Sequence, residues 1–185
     1  MRPYEQIALR TFDIDNRLHN LRTVYPFNNR SLAPTSKWVR DTVHAVHVYT
    51  NPHYLSAAIG SAFSVHLAFN YDLIPGKELE LIQLIDGQTV QLPEDDDDRE
   101  GLAHLGYHIP DHELLVHELH WWIQQRHTVA QVSVTTDHTG TSQRYMYAFI
   151  DTRVRIGVWT KVISRIAHPH RLEELMEDFR HVNQL

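Results

Sequence analysis

A pattern that stops and then starts again constrains this chain more than its overall make-up does. Residues 43–49 (VHAVHVY) are β-branched and apolar and read as a strand, ended by Asn51-Pro52. Residues 52–62 are small and apolar enough for a short helix, and 64–73 and 78–85 read as strands separated by Pro75-Gly76. At Gly101 the order begins afresh. A strand over 102–109 leads into an amphipathic helix over 111–126, with Leu114, Leu115, Leu119, Trp122 and Ile123 on its apolar side. Strands over 129–135, 144–151 and 155–163 follow, and then a polar C-terminal helix over 168–185. A strand–helix–strands unit that occurs twice predicts one α+β structure of two similar halves.

The rest of the chain is expected to lie outside that repeat. Residues 4–21 carry rough helical spacing, with Ile7, Phe12, Ile14, Leu18 and Leu21 as anchors, so 1–40 is expected as a helical extension. Residues 88–100 include four consecutive aspartates and lack the Gly and distal Glu of a calcium loop, so they are expected as a solvated, self-repelling linker.

Composition removes several function classes. There is no cysteine, so disulfides, zinc-thiolate sites and Cys nucleophiles are excluded, and a reducing, cytoplasmic location is expected. The net charge of −6, with no dense Lys/Arg run, argues against nucleic-acid binding. The polar N-terminus lacks a signal-type apolar stretch, and no run approaches the ~18 apolar residues of a membrane span. Seven glycines form no phosphate-binding loop.

Histidine is the unusual component, at 15 residues. Strand parity sorts several of them. His44 and His47 point to opposite faces, so one of the two can serve an inward site. His104 and His108 share a face but stand ~13 Å apart at ~3.3 Å per residue, too far for one ion. Glu78 and Glu80 also share a face. On the helix, His112 and His117 are spaced i, i+5, which breaks the zinc-protease pattern. His117 and His120 read as solvated flanks of the apolar stripe.

Four segments, in order, carry a resemblance: DTVHAVHVY, GKELELIQLIDG, EGLAHLGYHIPD and YAFIDTRVRIGVWTKVI. Over residues 41–163 the chain resembles the vicinal oxygen chelate superfamily of glyoxalases, extradiol dioxygenases, epimerases and resistance proteins. The resemblance implies two βαβββ-type modules, 41–87 and 101–163, in a half-open barrel, with a linker over 88–100 and a C-terminal helix over 164–185. It implies a divalent metal (Fe, Zn, Mn or Ni) held by His44, Glu80 and His104. The fourth ligand, usually Glu, falls near Trp159, Thr160 and Lys161, and no carboxylate occurs between Asp151 and Glu173. Lys161, if it entered the pocket, would oppose a cation.

Two imidazoles and a carboxylate with open positions suit a metal acting as Lewis acid and template. The implied function is a metal-dependent lyase, isomerase or dioxygenase on a small oxygen-bearing molecule. Arg144, Tyr145 and Tyr147 would meet that substrate by charge and ring stacking. The alternative is a non-catalytic binding protein of the same fold, which the missing ligand favours. A homodimer is compatible with either.

Overall fold

The computed structural model describes residues 3–16, 18, 38–92, 100–136, 143–168 and 170–184. Eight strands form the framework: β1 (Gln6–Arg10), β2 (Val39–Thr50), β3 (Ala62–Asn70), β4 (Glu78–Asp86), β5 (Gly101–Ile109), β6 (Val129–Thr136), β7 (Gln143–Ile150) and β8 (Trp159–Arg165). Among the described residues three helices with both ends described accompany them: α1 (Glu113–Gln124), the single turn α2 (Arg153–Ile156) and α3 (Leu172–Phe179). The strands close in the order β1-β4-β3-β2-β6-β7-β8-β5. The expected half-open barrel is therefore closed, through the β1–β5 and β2–β6 pairings.

Each half follows one plan. β1 runs parallel to β4, and β3 joins β4 to β2. β5 likewise runs parallel to β8, and β7 joins β8 to β6. This is the two-module α+β barrel that the sequence resemblance implied, with its first boundary moved. The first module opens at Gln6, not at residue 41 or 43, because β1 is the counterpart of β5. The helix expected over 4–21 is a strand at its start. Gln6 and Ala8 are buried while Ile7 and Leu9 are half-buried, a period-two pattern that five residues are too few to announce. Residues 14–16 and 18 are helical.

Two other expectations change. Residues 52–61, expected within a helix over 52–62, form turns and irregular chain, and Ala62 already opens β3, with Asn51 Oδ1 accepting the His53 N–H in place of a helical ladder. The start of the expected linker is not solvated: Thr89, Val90, Gln91 and Leu92 are buried. Gln131 Oε1 accepts from Thr89 Oγ1 and Val90 N, both at 3.0 Å, and Val90 and Leu92 join the interior apolar cluster. The aspartates fall outside the described residues.

Alternation along the strands makes two cores. Met146, Ala148 and Ile150 of β7 face outward and meet Leu115, Leu119 and Trp122 of α1 and Leu175 and Phe179 of α3. Each fully buried Leu, Ile, Met or Phe side chain among them contributes roughly 1.5–3 kcal/mol. Tyr145, Tyr147 and Phe149 take the other parity, and Tyr147 and Phe149 join the interior with Phe63, Val65, Ile82 and Trp159. The strand expected from 155 begins at Trp159, because Gly157, at φ 81°, closes the α2 turn. Among the described residues no helix is long and apolar enough to cross a membrane.

Candidate functional site

The strand registers identify the site without reference to any other protein. Gln6 pairs with Gly106 and Ala8 with His104 across β1 and β5. A two-fold exchange of the modules through the Ile7–Leu105 pair, which also superposes the first residues of β4 and β8, Glu78 and Trp159, carries Gln6 onto His104 and Ala8 onto Gly106. Ala8 pairs with Glu80 and Gly106 with Lys161, so the same exchange carries Glu80 onto Lys161. Phe69 beside Glu80 then maps onto Phe149 beside Lys161. Gln6, Glu80, His104 and Lys161 are thus two symmetry-related pairs, and all four are buried.

These side chains meet. Gln6 donates through Nε2 to Glu78, which leaves Gln6 Oε1 as acceptor for His104 Nε2 at 2.9 Å. His104 therefore carries its proton on Nε2, and Glu80 Oε2 lies 3.3 Å from the same nitrogen. Lys161 Nζ is 3.4 Å from Glu80 Oε2 and 5.2 Å from the centre of the Tyr147 ring. Gly106 makes room: a Cβ there would stand 2.8 Å from Gln6 Oε1.

Burial and charge fix the ionisation. Burial, reinforced by the Lys161 charge, pushes His104 down to about 4, so it is neutral. Burial alone would raise Glu80. The Lys161 charge and the His104 hydrogen bond outweigh it and hold the carboxyl below its ordinary value. Tyr147 is raised by burial and by the Glu80 charge, and stays a phenol.

The site opens onto a cavity of about 1130 Å³, bordered by Gln6, Glu80, Phe69, Tyr145, Tyr147 and Lys161. The sequence-expected residues divide here. Glu80 and His104 come together, and Tyr145 and Tyr147 line the cavity. Arg144 borders the cavity but has the parity of outward-facing Met146. His44 does not join Glu80 and His104. It pairs with Ser64, opposite in parity to Val43 and Ala45, and its Nδ1 is bonded to Ser64 Oγ at 2.9 Å. The inward histidine of that strand is His47, fully buried, donating to Gln88 O at 3.0 Å and accepting from Ser133 Oγ at 3.1 Å. Among the described residues no three His, Asp or Glu side chains are grouped to hold a metal ion.

Sequence reasoning missed Gln6. The signal was available in QIALR, a short alternating run, but the module was sought one strand too late.

The residues present do not fit a divalent ion. Gln6, Glu80 and His104 offer an amide oxygen, a carboxylate and an imidazole, but the fourth position holds an ammonium. Lys161 has no lone pair to give while protonated. At 4 Å and an effective dielectric of ~20, two like unit charges repel by about 4 kcal/mol, and a divalent ion would feel twice that.

No family model and no curated protein matches the chain. Among solved structures it is similar to hypothetical protein BH1468 from Bacillus halodurans C-125, with TM-score 0.49 and 12% identity over 91% of this chain and 98% of that one. It is also similar to methylmalonyl-CoA epimerase from Mycobacterium tuberculosis, with TM-score 0.47 and 11% identity over 87% and 86% of the two chains. A variant of the Streptomyces coelicolor methylmalonyl-CoA epimerase in complex with 2-nitronate-propionyl-CoA gives TM-score 0.45 and 15% identity over 89% and 97%. On its own strand order the chain is a closed eight-stranded barrel of two like modules, the architecture that the sequence resemblance implied.

Proposed function

We propose that this chain binds a small oxygen-bearing organic molecule inside the barrel, with an anionic or carbonyl oxygen of the ligand set against Lys161. The observation that carries this reading is the Lys161 ammonium itself. It is 8% exposed, it borders the cavity, and among the described residues Glu80 is its one hydrogen-bond acceptor. An ammonium has three N–H donors, so two remain for a ligand oxygen. Buried donors left without acceptors are costly, and a ligand that supplies them gains accordingly.

The walls support the same reading. Phe69, Tyr145 and Tyr147 offer ring faces and edges around a polar end, the usual make-up of a small-molecule pocket. Of the two functions implied by sequence, this is the binding protein. In a metal-dependent lyase, isomerase or dioxygenase the ion would have to sit beside the Lys161 ammonium, whose charge opposes it.

The test is a thermal-shift panel of small carboxylic and 2-oxo acids against their neutral amides. Acids that fit should raise the midpoint temperature of the wild type, and Lys161→Gln should lose that response. A panel in which no acid raises the midpoint, or in which Lys161→Gln responds as the wild type does, would count against the reading.

A further inference from the structure

We propose that Lys161 takes the place of the metal ion in this barrel, as a positive charge built into the chain. The inference deepens the ligand-binding reading above and rests on it for the identity of what the charge receives. Three observations on the strands carry it.

The first is position. The registers make Lys161 the counterpart of Glu80, so it stands where a second inward carboxylate would complete a set with Gln6, Glu80 and His104. The neighbouring Thr160 takes no part. It faces outward, bonded to Tyr4 and Thr152 at 3.0 Å each.

The second is reach. The ammonium does not extend to solvent but turns onto Glu80 Oε2, the carboxylate that would otherwise bind an ion. One residue therefore removes a ligand and supplies a counter-charge to another. Lys161 also lies over the Tyr147 ring, which stabilises a cation further.

The third is the state of the remaining donors. Gln6 Oε1 and Glu80 Oε2 both turn to the His104 Nε2 proton, so a network of hydrogen bonds satisfies groups that would serve an ion in its absence. With the ammonium in place Gln6 Oε1, Glu80 Oε2 and the His104 Nε2 proton are all partnered, while His104 Nδ1 has no hydrogen-bond partner among the described residues. What it offers the cavity is two N–H donors and a single positive charge, where a metal would offer open coordination positions.

The test is a cobalt(II) titration of protein made without an affinity tag, followed by visible absorption and elemental analysis. Wild type is expected to take up no Co²⁺ that depends on Glu80. Lys161→Glu should bind one equivalent at least 100-fold more tightly than wild type, and adding Glu80→Gln should remove it. Lys161→Gln, which keeps the size without the charge, covers the case in which Lys161→Glu fails to fold. It should gain at least 10-fold over wild type. Wild type that binds one equivalent and loses it on Glu80→Gln would overturn the proposal. So would folded Lys161 variants with no gain in affinity. The acid panel and the cobalt titration read different properties: a silent panel with the expected cobalt pattern would remove the ligand and leave the built-in charge standing.

Discussion

Glu80 and Lys161 occupy equivalent places in the two modules, and their charged ends meet at 3.4 Å inside the barrel. Two symmetric positions thus carry opposite charges. Taking both from water is expensive, and the pair offsets that cost only while both are present. Lys161→Met should therefore destabilise the fold by about 3–5 kcal/mol, through an unpaired buried carboxylate. Lys161→Met with Glu80→Gln should recover most of that loss, because the charge needing a partner is gone. Urea unfolding of the two variants measures both. Equal destabilisation by the single and double variants would show that packing, and not the pair, holds this region.

Stability should fall as pH falls below neutrality, and His104 gives the sign. Its native pKa is lowered to about 4 from an ordinary 6.5, by burial and by Lys161. Between those values the unfolded chain binds the proton and the native one does not. The stabilisation is present above about pH 6.5 and is lost as pH falls toward 4. His47, lowered by burial, adds in the same direction. The loss from His104 is on the order of 3 kcal/mol. Urea midpoints at pH 8, 6.5, 5 and 4 should decline in that order, and His104→Gln should flatten the decline. A profile that His104→Gln leaves unaltered would place the proton uptake elsewhere.

The sequence showed the second module far better than the first. GLAHLGYHI is a nine-residue strand with a proline stop and an amphipathic helix behind it, and β5 and α1 lie where those signals put them. Its counterpart QIALR has five residues, and its strand character comes from pairing on both sides with β4 and β5. Local propensity does not report pairing between distant segments. Missing β1 moved the opening of the module to β2 and with it the expected ligand, from Gln6 to His44. Glu80 and His104 were legible because each sits in a long strand whose alternation fixes the inner face. Lys161 needed the register with Gly106, which only the closed barrel supplies.

The two histidines of β2 should respond in opposite ways to truncation. His44 is bonded to Ser64 at the partly buried side of the strand, so His44→Ala should change stability by no more than about 0.5 kcal/mol. His47 is stacked on Phe63 with ring centres 4.8 Å apart and holds both Ser133 and the carbonyl of Gln88. His47→Ala should cost about 1–3 kcal/mol for the unmet partners alone. It should also free the segment after Gln88, so limited proteolysis near residues 88–92 should accelerate. Similar unfolding midpoints for the two variants would put the parity of β2 in doubt.

Gly106 gives the last expectation, because it sits at the centre of the site without taking part in its chemistry. It pairs with Gln6 on one side and Lys161 on the other. A methyl group placed there would come within 2.8 Å of Gln6 Oε1 and 3.3 Å of the Lys161 carbonyl oxygen. The backbone cannot easily give way, but the end of the Gln6 side chain can. Gly106→Ala should therefore turn Gln6 away from His104 rather than unfold the barrel. One hydrogen bond to a buried imidazole is lost, about 1–2 kcal/mol in stability. The His104 proton then has Glu80 as its remaining close acceptor. Nitrogen-15 NMR of the imidazole should show the Nε2–H resonance shifted relative to wild type while the protein stays folded. Gly106→Ala combined with Gln6→Ala should relieve the crowding and regain part of the stability. If the double variant is as unstable as the sum of the two singles, the clash lies with the β8 backbone instead.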